Sequence, residues 1–94
     1  MFNQTNDIHN DNVKMNKLIL EIKQKIENNF SESDWSEIGL LANADEVINS
    51  HPRLLRSLYW GDDDYAANII GVLKEISQKD PKALNTIKTY LNNK

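Results

Sequence analysis

Apolar residues recur along this chain at spacings of three and four, the pattern of helices that bury one face. Met15, Leu18, Ile19, Ile22, Ile26 and Phe30 form one stripe, which predicts an amphipathic helix from Val13. Its other face carries Lys17, Glu21 and Lys25 at four-residue intervals suited to weak ion pairs, and Asn28 and Asn29 end it. Residues 1–12 hold only Phe2 and Ile8 as sizeable apolar groups, too few to offset the entropy of ordering, so a flexible tail is expected there.

Ser31 to Asp34 offers several N-cap side chains before a short helix with Trp35, Ile38, Leu41 and Ala42 inward, Ser33, Ser36 and Glu37 adding capping oxygens and an early carboxylate. Ala44, Asp45 and Glu46 begin a brief third helix with Val47 and Ile48 apolar, interrupted by Asn49, Ser50, His51 and Pro52. Pro52 suits the first position of a fourth helix, where its missing N–H costs nothing. Leu54, Leu55, Leu58 and Tyr59 form its expected buried side, and Gly61 ends it. A fifth helix follows an acidic start, with Tyr65, Ile69, Val72, Leu73 and Ile76 in register. Asp80 and Pro81 restart the chain as N-cap and first helical residue of a sixth, whose stripe is Ala83, Leu84, Ile87, Tyr90 and Leu91. With no strand alternation and no internal repeat, the expected fold is all-α: a compact bundle of five to six short helices over residues 13–94, forming one domain.

Ninety-four residues leave no room for a second domain, and no run approaches the ~20 apolar residues of a membrane span. The first fifteen residues lack the basic start and apolar stretch of a signal peptide, so a cytoplasmic protein is expected. Thirteen asparagines point to an AT-rich genome. The net charge of −3 argues against a generic nucleic-acid binder, which concentrates Lys and Arg to neutralise phosphate. That total conceals segregation. Residues 26–52 carry Glu27, Glu32, Asp34, Glu37, Asp45 and Glu46 with no Lys or Arg, summing to −6. Residues 14–25 and 74–94 each sum to +3, four lysines against Glu21 and five against Glu75 and Asp80. Such a bipolar surface steers association with a copy of the chain or with another protein, or serves solubility alone.

The catalytic inventory is thin, and no enzyme is expected. There is no cysteine, hence no disulfide, thiolate nucleophile or zinc-thiolate site. His9 lies in the expected tail and His51 precedes a proline, where capping or packing is its simplest use; neither gives a two-His helical metal spacing. No Arg is followed four to six residues later by His, the arrangement that helical ribonuclease toxins use. Gly39, Gly61 and Gly71 are isolated, so no loop wraps a phosphate, and Ser50 beside His51 lacks the flanking glycines of a nucleophile elbow. No metal or cofactor is expected.

Two features remain. Asp62, Asp63 and Asp64 could bind Ca²⁺ or Mg²⁺, and a minimal metal-dependent enzyme could be built on them. Successive helical side chains diverge by about 100°, however, and the distal glutamate of a calcium loop is missing. Capping of the fifth helix, with surplus charge left for a partner, is the simpler reading. Arg53 and Arg56 share a helix face beside Tyr59 and Trp60, and arginine and large aromatics concentrate binding energy at interfaces. The equal alternative is that Trp60 plugs the core while Arg56 pairs with a nearby aspartate. The candidate partner-binding residues are therefore Arg53, Arg56, Trp60, Asp62, Asp63 and Asp64.

The strings DWSEIG, from Asp34, and INSHPRLLRSLYWGDDDY, ending at Tyr65, are similar to small helical segments of bacterial proteins. With six short helices in about 80 residues, the chain resembles the death-like and effector-associated adaptor domains of prokaryotic conflict and immunity systems. That resemblance implies a helical bundle that recruits effectors through homotypic contacts and does no chemistry itself. No effector region accompanies these 94 residues, which implies a free-standing adaptor or competitor. The function expected is a non-enzymatic protein–protein interaction module acting through charged patches. The alternative is a small inhibitor of antitoxin or immunity-protein type, whose acidic surface blocks a basic target.

Overall fold

The computed structural model describes the backbone of residues 2–94 and the side chains of residues 13–94. Six helices follow in order: α1 (Phe2–Asn29), α2 (Glu32–Leu41), α3 (Asp45–Ser50), α4 (Leu54–Trp60), α5 (Tyr65–Lys79) and α6 (Ala83–Asn92). The all-α fold is as expected, and no strand occurs among the described residues. The helix predicted from Val13 lies within α1, and the tail expected over residues 1–12 falls outside the residues with described side chains.

The stripes meet in one core. α1 packs against α5 and α6, and α2 packs against α3, α4 and α6. Ile22, Ile26, Trp35, Leu54, Ile69, Val72, Leu73, Leu84 and Ile87 are fully buried, each aliphatic contributing about 1.5–3 kcal/mol by leaving water. Phe30, just past α1, sets its ring edge-on to Trp35 at 5.4 Å and to Tyr90 at 5.9 Å, so the α1–α2 connection is pinned to α6. The Trp35 indole N–H donates to the Tyr65 hydroxyl at 2.9 Å, satisfying a buried donor across α2 and α5.

From α2 onward, helix starts differ from the sequence reading by about one turn at most, whereas α1 begins at Phe2 and not at Val13. Ser31 caps α2: its hydroxyl accepts the Asp34 N–H, while the Asp34 carboxylate accepts the Ser31 N–H at 2.8 Å, a capping box. α4 begins at Leu54 and not at Pro52, because the His51 ring closes the turn first, its Nδ1 accepting the N–H groups of Arg53 and Leu54 at 3.2 and 3.1 Å. The capping use expected of His51 is thus realised. α6 begins at Ala83, after a turn in which Asp80 accepts the N–H of Lys82 through its side chain and that of Ala83 through its carbonyl.

Three face assignments need correction. Leu41 is exposed, lying beyond the edge of the α2 stripe that Trp35 and Ile38 define. Tyr59 is exposed because α4 has only two turns, and its inward side is taken by Leu54 and Ser57. The Lys17, Glu21, Lys25 ladder gives way to contacts between helices: Glu21 pairs with Lys88 of α6 at 3.1 Å and Lys25 donates to Asn92 at 3.3 Å.

Two backbone positions set the tight turns. Gly61 adopts the left-handed conformation (φ 66°) that closes α4. At Gly39 a Cβ would stand 3.1 Å from the Asp45 Cα, so the absent side chain lets α3 start directly against α2.

Candidate functional site

Gly61 turns the chain so that the two ends of α4 and the start of α5 share one surface. Arg53, at the N-cap of α4, reaches across to the turn before α5. Its Nε donates to Asp64 Oδ2 at 2.6 Å, and a terminal nitrogen lies 3.6 Å from Asp62 Oδ2. The hydrogen bond and charge of Asp64 raise the Arg53 pKa, and the Arg53 hydrogen bond lowers that of Asp64, so the pair is ionised together.

This arrangement answers the capping reading in part. Asp64 occupies the N-cap position of α5, but its side chain makes no capping bond and turns to Arg53 instead. Its Oδ1 is occluded with no hydrogen-bond partner among the described residues. Asp63 is exposed and makes no ion pair among the described residues. Because Asp62 and Asp64 converge on a guanidinium, a divalent cation there would have to compete with a fixed positive charge. Among the described residues no group of three or more His, Cys, Asp or Glu side chains is placed to hold a metal.

The aromatic pair lies at the other end of α4. Trp60 is 68% exposed and Tyr59 is 76% exposed, which rules out a core plug. Their rings meet edge to face at 5.1 Å, so each limits the other's rotation and the pair stands as a preformed apolar ridge. Arg56, between the two ends of the helix, is exposed and pairs with no aspartate among the described residues; Arg53 makes those ion pairs. The six candidate residues thus split into a locked cluster, Arg53 with Asp62 and Asp64, and groups turned to solvent, Arg56, Trp60 and Asp63.

Beneath this surface lies a polar contact that periodicity did not disclose. Ser57 is fully buried; its hydroxyl donates to the Leu54 carbonyl at 2.9 Å and accepts from the Asn68 amide at 3.0 Å. Asn68 thereby ties α5 to α4 and fixes the slope on which the ridge stands.

A second polar cluster joins α2 to α6. The Tyr90 hydroxyl donates to Asp34 Oδ1 at 2.8 Å and also meets the Glu37 carboxylate, while Lys94 lies 3.4 Å from Asp34 Oδ2. Burial pushes the Asp34 carboxyl up, but the Ser31 N–H, the hydroxyls of Tyr90 and Ser31 and the Lys94 charge together hold it below its ordinary value. The Glu37 hydrogen bond, then burial, then Asp34 push the Tyr90 phenol well above its usual value. The Tyr90 phenol and the Asp34 carboxylate are thus held in their resting protonation states, as a structural clasp requires. Nearby, Lys25, Asn29, Leu91, Asn92 and Lys94 line an open concavity, where Lys94 pairs with Asp34 and Lys25 donates to Asn92.

The model of one family, AbiJ N-terminal domain 5, matches residues 11–94. No curated protein matches, and neither does any solved structure.

Proposed function

We propose, from the premise that this chain belongs to the AbiJ N-terminal domain 5 family, that it is a docking module which recruits a protein partner within a phage-defence system and carries out no chemistry of its own. The family is associated with abortive infection, a form of phage defence, in keeping with the conflict-system resemblance of the HPRLLRSLYWGDDDY string. Recruitment runs through surface contacts, as in death-like adaptor domains. The cytoplasm is the compartment in which we place it; no helix among the described residues is long and apolar enough to cross a membrane.

One observation carries this reading: the Tyr59–Trp60 ridge is exposed and preformed, with Arg56 on the same short helix. Aromatic rings held in place lose little entropy on binding, and Trp, Tyr and Arg are the residues that dominate interface energies. The Arg53–Asp62–Asp64 cluster holds the turn beside the ridge and frames it with charge.

Phage plating on bacteria carrying the natural gene tests it. Replacing Tyr59 and Trp60 together with alanine is expected to weaken protection about tenfold or more, while the circular dichroism melt stays unchanged because both rings are exposed. Full protection with both rings removed refutes docking through this ridge.

A further inference from the structure

We infer that this domain associates head to tail with a second copy of itself, the acidic leucine edge at the end of α2 in one copy seating on the lysine-rimmed groove between α1 and α5 in the next. The inference deepens the docking reading but uses surfaces other than Tyr59 and Trp60.

The edge is built from Leu40, 76% exposed, and Leu41, 61% exposed, the last two residues of α2. Glu37 lies one turn before them, and Asp45 and Glu46 open α3 just beyond, within the stretch of 27 residues that has no Lys or Arg. Lys79 of α5 stands at the far rim, beside Asp45 and Glu46. Two adjacent leucines in water are costly to leave uncovered, and the carboxylates around them favour a basic counterpart.

The groove supplies one. Asn16, Ile19 and Leu20 of α1 face Ile70 and Lys74 of α5, and the depression continues past Met15 to Ser77 and Gln78. Leu20 is 51% exposed and Ile70 half-buried, so the floor is apolar. Lys17 and Lys23 lie three residues to either side of Leu20, on its side of the helix, and Lys74 stands one turn beyond Ile70. Lys23 is paired with Glu27 at 2.9 Å, whereas Lys17 and Lys74 make no ion pair among the described residues.

Charge decides which surface meets which. Pairing either surface with its own copy across a two-fold axis sets carboxylates against carboxylates or lysines against lysines. Pairing edge with groove sets opposite charges together around apolar centres. α1 packs on α5 and α6 while α2 packs on α3, α4 and α6, so one copy presents both surfaces at once. Such a heterologous contact repeats from copy to copy, into a ring or an open chain.

Sedimentation velocity on the full chain tests this with two variants at exposed positions, Leu20→Glu in the groove and Leu41→Lys on the edge. The unaltered chain is expected to exceed its 10.8 kDa monomer mass as concentration rises towards about 1 mM, and to return to monomer in about 0.5 M salt. Each variant alone is expected to stay monomeric. Mixed in equal amounts they should form a pair and nothing larger, because the first retains a working edge and the second a working groove. If either variant does not fold by circular dichroism, Lys74→Glu and Glu46→Lys replace them with the same expectation. An unaltered chain that stays monomeric or stops at two copies, or a mixture of the variants that stays monomeric, overturns the inference. Replacing Tyr59 and Trp60 with alanine should leave this association intact, so failure here and failure of the ridge are read separately.

Discussion

Replacing Tyr65 with phenylalanine removes one oxygen from the core and leaves the Trp35 indole N–H facing apolar neighbours. That N–H now donates to the Tyr65 hydroxyl at 2.9 Å, and Trp35 has no exposed surface through which water could substitute. The cost therefore combines a lost hydrogen bond with an orphaned buried donor, about 1–3 kcal/mol, with little cavity because the ring remains. A domain of this size has roughly 5–15 kcal/mol to lose, so the change is a large fraction of the whole. A loss of about 2 kcal/mol lowers the melting temperature by about 8–16 °C at this length. Thermal and urea unfolding followed by circular dichroism measure it. Trp35→Phe, alone and combined with Tyr65→Phe, completes a double-mutant cycle. A drop below about 0.5 kcal/mol in Tyr65→Phe, or strict additivity in the cycle, refutes the view that this bond holds α2 to α5.

Three further changes probe the turns and the α2–α6 clasp. Asp34 has a folded pKa below its ordinary value of 3.8, so its contribution to stability is complete above that value and is lost as pH falls through the lower folded one; Asp34→Asn should flatten the acid limb of a stability–pH curve. Gly61→Ala meets no atom within 4 Å, so its cost is backbone strain at φ 66° alone, about 1–2 kcal/mol by urea unfolding. His51→Ala deprives the Arg53 and Leu54 N–H groups of their acceptor and should cost about 1 kcal/mol, while His51→Asn, which keeps a short side-chain acceptor, should cost less.

The helices and most of the core were legible in the sequence, because a stripe such as Ile69, Val72, Leu73, Ile76 has one periodic solution when a helix runs for four turns. α4 shows where that logic weakens. Over two turns the stripes Leu54–Leu58 and Leu55–Tyr59 fit equally well, and only the position of α5 decides that Leu54 and Ser57 go inward and Tyr59 outward. Helix starts shifted for a related reason: Pro52 and Asp80 are good first-turn residues, but His51 and the Asp80 side chain satisfy the same N–H groups through turns that precede the helix. Of the candidate site, Arg53 and two aspartates were rightly grouped by nearness in sequence. In the Asp34, Glu37, Tyr90 and Lys94 cluster, Tyr90 stands 56 residues from Asp34 and 53 from Glu37, and no local pattern announces it.

The two tryptophans differ in burial as far as two indoles can in so small a domain, Trp35 with no exposed surface and Trp60 with most of its surface in water. Each therefore emits from a different medium, and an aqueous quencher such as iodide reaches only one of them. The chain carries its own two-channel fluorescence reporter: the short-wavelength, unquenchable component follows the integrity of the bundle, and the long-wavelength, quenchable component follows whatever settles on the end of α4. A ligand that blue-shifts the second without touching the first has docked on an unperturbed domain, with no label attached.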